Sequence, residues 1–87
     1  MSWTVEWDEL AEQGLRELGR ERAERIDAAV MEYARTGRGL VFRVSRHDHQ
    51  RLQVVVPGAV AYVFADERDG VLWVHAVYAR PVLKGPR

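Results

Sequence analysis

Apolar and polar positions change period several times along the chain, and each change marks an element. From Ser2 to Trp7 they alternate, with Trp3, Val5 and Trp7 on one side and Ser2, Thr4 and Glu6 on the other. That is the pattern of a strand with one apolar face. Asp8 follows as a helix N-cap, its carboxylate free to accept an orphan N–H of the next turn. Ala11, Leu15, Leu18 and Arg22 then recur at spacings of four, three and four, with Leu10 and Gly14 beside them, which predicts a short amphipathic helix. Gly19 breaks it. A longer helix is predicted from about Glu21 to Thr36, with an apolar stripe of Ala23, Ile26, Val30, Tyr33 and Ala34 and a favourable Glu21–Arg25 pair. Gly37 is a good left-handed terminator.

Beyond Arg38-Gly39 the period returns to two. Leu40, Phe42 and Val44 share one face of a strand, and Val41, Arg43 and Ser45 the other. The polar tract Arg46-His47-Asp48-His49-Gln50 turns the chain into three apolar runs: Leu52 to Val56, Ala59 to Ala65, and Val71 to Ala79. Pro57-Gly58 and the acidic tract ending on Gly70 connect them as hairpins. The last strand stops before Pro81, which cannot donate to a ladder. Alternation places Val71, Trp73, His75 and Val77 on one face of that strand. Leu72, Val74, Ala76, Tyr78 and Arg80 fall on the other. Both faces are mostly apolar, so the strand is expected to be central.

The order β-α-α-β-β-β-β is an α+β pattern. Two helices with apolar stripes need a sheet face to cover them, and the sheet needs them. The expected architecture is an N-terminal strand and an α-hairpin packed on one face of a mainly antiparallel twisted sheet. The other face is at least partly open. Leu15, Leu18, Ile26, Val30 and Tyr33 are expected to be buried between the layers. At 87 residues the chain reads as one domain spanning 1–87, with residues 83–87 a frayed tail.

Composition narrows the function classes. There is no cysteine, which excludes a disulfide framework, thiol catalysis and a thiolate metal site. No signal peptide and no apolar run of membrane-spanning length is present, so a soluble, cytoplasmic protein is expected. The net charge of zero hides an asymmetry: residues 1–36 carry nine acids and five bases, and residues 37–87 four acids and eight bases. A basic sheet half suits phosphate or an acidic protein partner, or it is a solvated surface attracted to the acidic half.

No phosphate-binding loop, dinucleotide fingerprint or zinc-protease motif occurs, and no cofactor is expected. His47-Asp48-His49 is the nearest approach to a metal site, but it lacks a third ligand and is equally a polar turn. The arginines carry more chemistry. Arg43, Arg46, Arg51 and Arg80 lie on or beside strands expected to be neighbours, and guanidinium forks suit phosphate oxygens. On one open face they would make a nucleic-acid footprint, with Trp73, Tyr62 or Tyr78 to stack a base. Scattered over both faces, with the aromatics in the core, they would make none.

The whole pattern resembles a known superfamily. W-x-V-x-W-D opens into a helix with Ala11, Leu15 and Leu18. A longer helix follows with Arg22, Arg25 and Ile26. An arginine-led strand, a glycine turn, an apolar strand and an acidic turn come next, and a last strand closes on Val77 and Arg80. Over about residues 2–80 this resembles the RelE/ParE superfamily of bacterial toxins, the stable halves of type II toxin–antitoxin pairs. The resemblance implies a growth-inhibiting toxin held by a cognate antitoxin. RelE-like members cleave mRNA at the ribosomal decoding site, using basic side chains, usually with a tyrosine, histidine or glutamate. ParE-like members lack that set and poison DNA gyrase. Arg51 matches a basic residue that opens the third strand in the nucleases, and Arg80 the arginine that closes the last one. Gln53 stands at a position usually basic, and Ala59 or Val60 where an arginine normally follows the glycine turn. These departures count against nuclease activity and leave the fold untouched.

The sequence therefore implies a RelE/ParE-like toxin whose target is gyrase or the ribosome and its mRNA. The alternatives are a ribosome-dependent endoribonuclease and a non-toxic binding module of the same fold. For the nuclease, Arg51 and Arg80 would carry phosphate charge, with His49 or Tyr78 moving the proton. Arg43, Arg46 and Arg51 are the candidate nucleic-acid contacts. The third and fifth strands run parallel in such a meander, so Arg51 and Arg80 are expected at opposite ends of the sheet.

Overall fold

The structure, a computed structural model, describes residues 2–81, so the expected tail at 83–87 lies outside the described residues. The elements follow in the expected order: β1 (Thr4–Trp7), α1 (Glu9–Leu18), α2 (Arg20–Thr36), β2 (Val41–Ser45), β3 (Asp48–Val56), β4 (Ala59–Asp66) and β5 (Val71–Ala79). One five-stranded sheet has the order β1-β5-β4-β3-β2. β2 to β5 form the antiparallel meander, and β1 adds parallel to β5 with Thr4 opposite Val71 and Trp7 opposite Val74. β5 is thus flanked by a strand on both sides and lies inside the sheet.

Local signals set most boundaries. Asp8 caps α1, its Oδ1 accepting the Ala11 N–H at 3.0 Å. Gly19 ends α1 and starts α2 at φ +85°, with nothing near the place of a missing Cβ. The glycine is therefore required by its backbone conformation and not by space. The polar tract after β2 is shorter as a turn than the sequence implies. The turn is Arg46-His47, and β3 begins at Asp48, which pairs with Ser45. Asp48 Oδ1 accepts the backbone N–H of Gln50 and Arg51 at 2.9 and 3.2 Å. The side chain thus organises the hairpin end as an Asx turn does.

The helices lie on one face of the sheet, α1 on β5 and α2 across β3 and β4. Ile26, Val30 and Ala34 of α2 and Ala11 of α1 are buried against Val54, Ala61, Val63, Leu72, Val74 and Val77. Leu15, Leu18 and Tyr33 are half-buried and pack on that core. Gly14 brings α1 down onto β5: a Cβ there would sit 2.4 Å from the Val77 carbonyl oxygen. Arg22 belongs to α2 and not to the stripe of the first helix. Its stem lies over Gly58 in the β3–β4 turn. Beside it, Arg25 Nη1 donates to the Pro57 carbonyl at 2.7 Å.

The expected faces of β5 need correction. Tyr62 pairs with Ala76 but Val63 with Val74, so His75 is an extra residue, a β-bulge. Alternation restarts after it. Val77 joins Leu72 and Val74 in the core, while Tyr78 turns to the side of Trp73. The expected grouping of Val77 with Trp73, and of Tyr78 and Arg80 with Leu72, is thereby reversed beyond residue 75.

Candidate functional site

The face of the sheet away from the helices carries the chemistry. The pairs Arg51–Phe64, Gln53–Tyr62 and Val55–Val60 lie on it, because their neighbours Leu52, Val54, Ala61 and Val63 point into the core. Phe42 joins through its pairing with Gln53, and Trp73 through Phe64. Phe42, Trp73 and Tyr78 are exposed to 51%, 37% and 54%. Among the described residues no helix covers this face. Tyr62 and Tyr78 meet edge to face with centroids 5.8 Å apart, a geometry worth about 0.5–1.5 kcal/mol beyond burial. The surface is therefore apolar and partly ordered, with charge at its margins.

Both Arg51 and Arg80 lie on this face. Arg80 lines a depression of about 480 Å³ with Phe42, Gln53 and Tyr62, and its N–H donates to the Gly58 carbonyl at 3.0 Å. Arg51 lies level with Phe64 and Arg80 level with Gly58. At ~3.3 Å per residue the two are ~20 Å apart along the sheet. His49, by alternation, shares the Arg51 end, and Tyr78 the Arg80 end opposite Val60. Neither arginine can share one phosphate with the other. Arg51 Nε is bound to Asp48 Oδ2 at 3.1 Å.

The expected footprint of Arg43, Arg46 and Arg51 is not assembled on one face. Arg43 pairs with Leu52 and so takes the helix side of the sheet, while Arg46 sits in the β2–β3 turn. Among the described residues no three His, Asp or Glu side chains gather as a metal would require.

A cavity of about 250 Å³ opens near the Arg51 end, lined by Val44, Arg51, Tyr62, Phe64 and His75 among others. The bulge aims His75 at the start of α1, where Nδ1 lies 2.9 Å from Asp8 Oδ2. Burial alone raises the Asp8 carboxyl. The Ala11 N–H, the hydrogen bond and charge of His75 and the Leu10 N–H together outweigh it, and the group sits below its ordinary value. An ionised carboxylate only accepts, so His75 Nδ1 is the donor in this contact. Sequence reasoning missed this dyad. Its members are 67 positions apart, and only the parallel pairing of β1 with β5 joins them.

Known structures share this architecture. A chain of the RelBE2 toxin–antitoxin complex from Mycobacterium tuberculosis superposes with a TM-score of 0.77 at 12% identity, over 92% of this chain and 93% of that one. The isolated E. coli RelE toxin superposes with a TM-score of 0.69 at 17% identity, over 90% and 84%. The chain has the RelE fold. The likeness lies in the backbone: no protein-family model matches the sequence, and no curated protein matches it either. The RelE fold here includes the α-hairpin, the meander and the parallel N-terminal strand, so the resemblance read from the sequence holds at the level of architecture. No helix among the described residues is long and apolar enough to cross a membrane.

Proposed function

We propose that this chain is the toxin of a type II toxin–antitoxin pair, acting in the cytoplasm through the open face of its sheet and neutralised by a cognate antitoxin. The observation that carries the reading is an apolar, aromatic sheet face that no helix among the described residues covers, with Phe42, Trp73 and Tyr78 exposed, on a fold shared nearly end to end with RelE and RelBE2 chains. Exposed apolar patches of this kind mark protein interaction sites. The antitoxin is a product encoded beside this gene, and an acidic segment of it would complement the arginines at the margins of the face.

Inhibition by binding is favoured over mRNA cleavage by Arg51 and Arg80. A phosphate-cleaving pair must converge on one charge, and these two are ~20 Å apart by strand rise. Gln53 and Val60, between them, supply no cation. A gyrase-type target therefore ranks ahead of mRNA. One observation supports a second reading as an endoribonuclease. His75, held by Asp8, lines the same cavity as Arg51, and its Nε2 would accept a proton there when the ring is neutral. That pairing is a proton acceptor for a 2′-hydroxyl next to a phosphate-binding guanidinium.

Induced expression with and without the neighbouring open reading frame tests the pair: growth arrest relieved by co-expression supports it, and no arrest defeats it. Gyrase supercoiling and primer extension on translated mRNA then separate the targets. Under the binding reading, Arg51→Ala combined with Arg80→Ala changes growth inhibition by less than the ~10²-fold typical of losing an electrostatic catalyst. Codon-positioned cleavage abolished by that double variant would restore the interferase reading with those arginines. Cleavage abolished by His75→Ala instead would favour the dyad.

A further inference from the structure

The open face leaves the opposite margin of the molecule unexplained. Among the described residues β1 is an edge strand and pairs with β5 alone. The N–H groups of Thr4 and Asp8 donate to Gly70 and Val74 at 2.9 and 3.1 Å. Alternation along a parallel ladder turns those of Val5 and Trp7 the other way. Trp3, also on that outer side, donates to the Ala34 carbonyl at the end of α2, at 2.8 Å. From Val5 onward the edge meets a depression of about 570 Å³ walled by α1 and α2.

The floor of this depression is apolar, with Val5, Trp7 and Leu15 half-buried in it, and its rim carries Glu12, Glu24 and Asp27. Every charged side chain lining it is a carboxylate. Glu24 is shared with Arg20 at 3.1 Å, a pair exposed on both sides. Glu12 and Asp27 have no such partner among the salt bridges of the described residues. β1 is a four-residue edge strand carrying Glu6, short and charged as protected edges are, and α2 meets it at Trp3; the stretch of edge left beside the depression is Val5 to Trp7.

We propose that the β1 edge is a docking site for a basic extended segment of a partner protein, which adds to the sheet beside β1. Backbone bonds to Val5 and Trp7 would fix its register. Alternate apolar side chains would enter the floor, and the lysines or arginines between them would meet Glu12 and Asp27. Strand addition of this kind draws affinity from the backbone and specificity from the alternate side chains. The charge of the groove sets the sign of the partner. The site is separate from the open face, so the proposal stands or falls independently of the toxin reading.

The test titrates isotope-labelled protein with a synthetic octapeptide alternating lysine and valine, and with its glutamate–valine counterpart. The lysine peptide is expected to shift the amide signals of Val5 and Trp7 and to slow their hydrogen exchange, with affinity falling as salt rises. The double variant Glu12→Lys, Asp27→Lys, checked as folded by circular dichroism, is expected to bind at least ~10-fold more weakly, as when rim charges are reversed. Glu67→Lys, in the β4–β5 turn, leaves binding unchanged. Equal binding of the two peptides, shifts confined to the open face, or no binding at millimolar peptide overturns the proposal. So does protection of Val5 and Trp7 by self-association of the protein alone, which assigns the edge to a second copy.

Discussion

Gly14 sits inside α1, where alanine would ordinarily be the better residue by about 1 kcal/mol. Its position on β5 reverses the sign. A Cβ at Gly14 would lie 2.4 Å from the Val77 carbonyl oxygen and 3.2 and 3.3 Å from the Val77 carbon and Cβ, against ordinary contact beyond 3.4 Å. The obstacle is backbone in β5, held between β1 and β4, and cannot rotate away. α1 must rise by roughly 1 Å, loosening Ala11 and Leu15 on the core, and overpacking of this kind costs about 1–3 kcal/mol. After subtracting the propensity gain, Gly14→Ala is expected to destabilise the protein by about 0–2 kcal/mol, where an open helix position would gain about 1 kcal/mol. Urea unfolding measures this as a lower midpoint at unchanged slope. Gln13→Ala, on the exposed side of the same helix, is the control for propensity and should be neutral or slightly stabilising. A Gly14→Ala midpoint above the parent, by the propensity gain of about 1 kcal/mol, would refute the close approach of α1 to β5.

Three further outcomes follow from the same structure. Ile26→Ala empties a fully buried site and should cost ~2–4 kcal/mol in the same assay; a loss under ~0.5 kcal/mol, the range of surface changes, would misplace the helical stripe. Asp8→Ala removes the α1 cap and should cost about 1 kcal/mol at neutral pH. Because the folded carboxyl lies below its ordinary 3.8, its contribution is complete above that value and is lost as pH falls through the lower folded one. The gap between parent and variant must therefore narrow on acidification below about pH 4, and a gap that widens would contradict the lowered value. Phe42→Lys with Tyr78→Lys, both more than half exposed on the open face, should shift stability by less than ~1 kcal/mol yet abolish growth inhibition; retained inhibition would move the working surface elsewhere.

Much of this fold is written locally. Alternation in Ser2–Trp7, the capping Asp8, the break at Gly19 and the turn at Pro57-Gly58 act through neighbours along the chain, and each was readable where it stands. What escaped depends on distant partners. Nothing near residue 4 says that β1 will lie parallel to β5. Arg43 takes the helix side because it pairs with Leu52, a fact of register rather than of its own strand. Asp48 to Gln50 look like a turn because their side chains are polar, but the ladder to β2 and the bonds of Asp48 make them strand. The bulge left no trace, because Val71 to Ala79 is apolar throughout except His75, and no break of alternation shows where the faces exchange. The His75–Asp8 contact had no trace, since it exists only once the first and last strands meet.

That meeting also has a consequence for how the protein comes into being. Of the described strands β1 is synthesised before the others and β5 after them, yet among the described residues β1 has no other neighbour in the sheet than β5. A nascent chain stopped before Val71 can form α2 over the β2–β4 hairpins, but α1 has no floor, β1 has no ladder, and Leu72, Val74 and Val77 are missing from the core. Contacts of such long sequence separation form late and slowly. Trp73, Tyr78 and Arg80 arrive on the same strand that closes the core. The exposed face and the stability of the molecule are therefore acquired in one step, and a prematurely terminated product has neither.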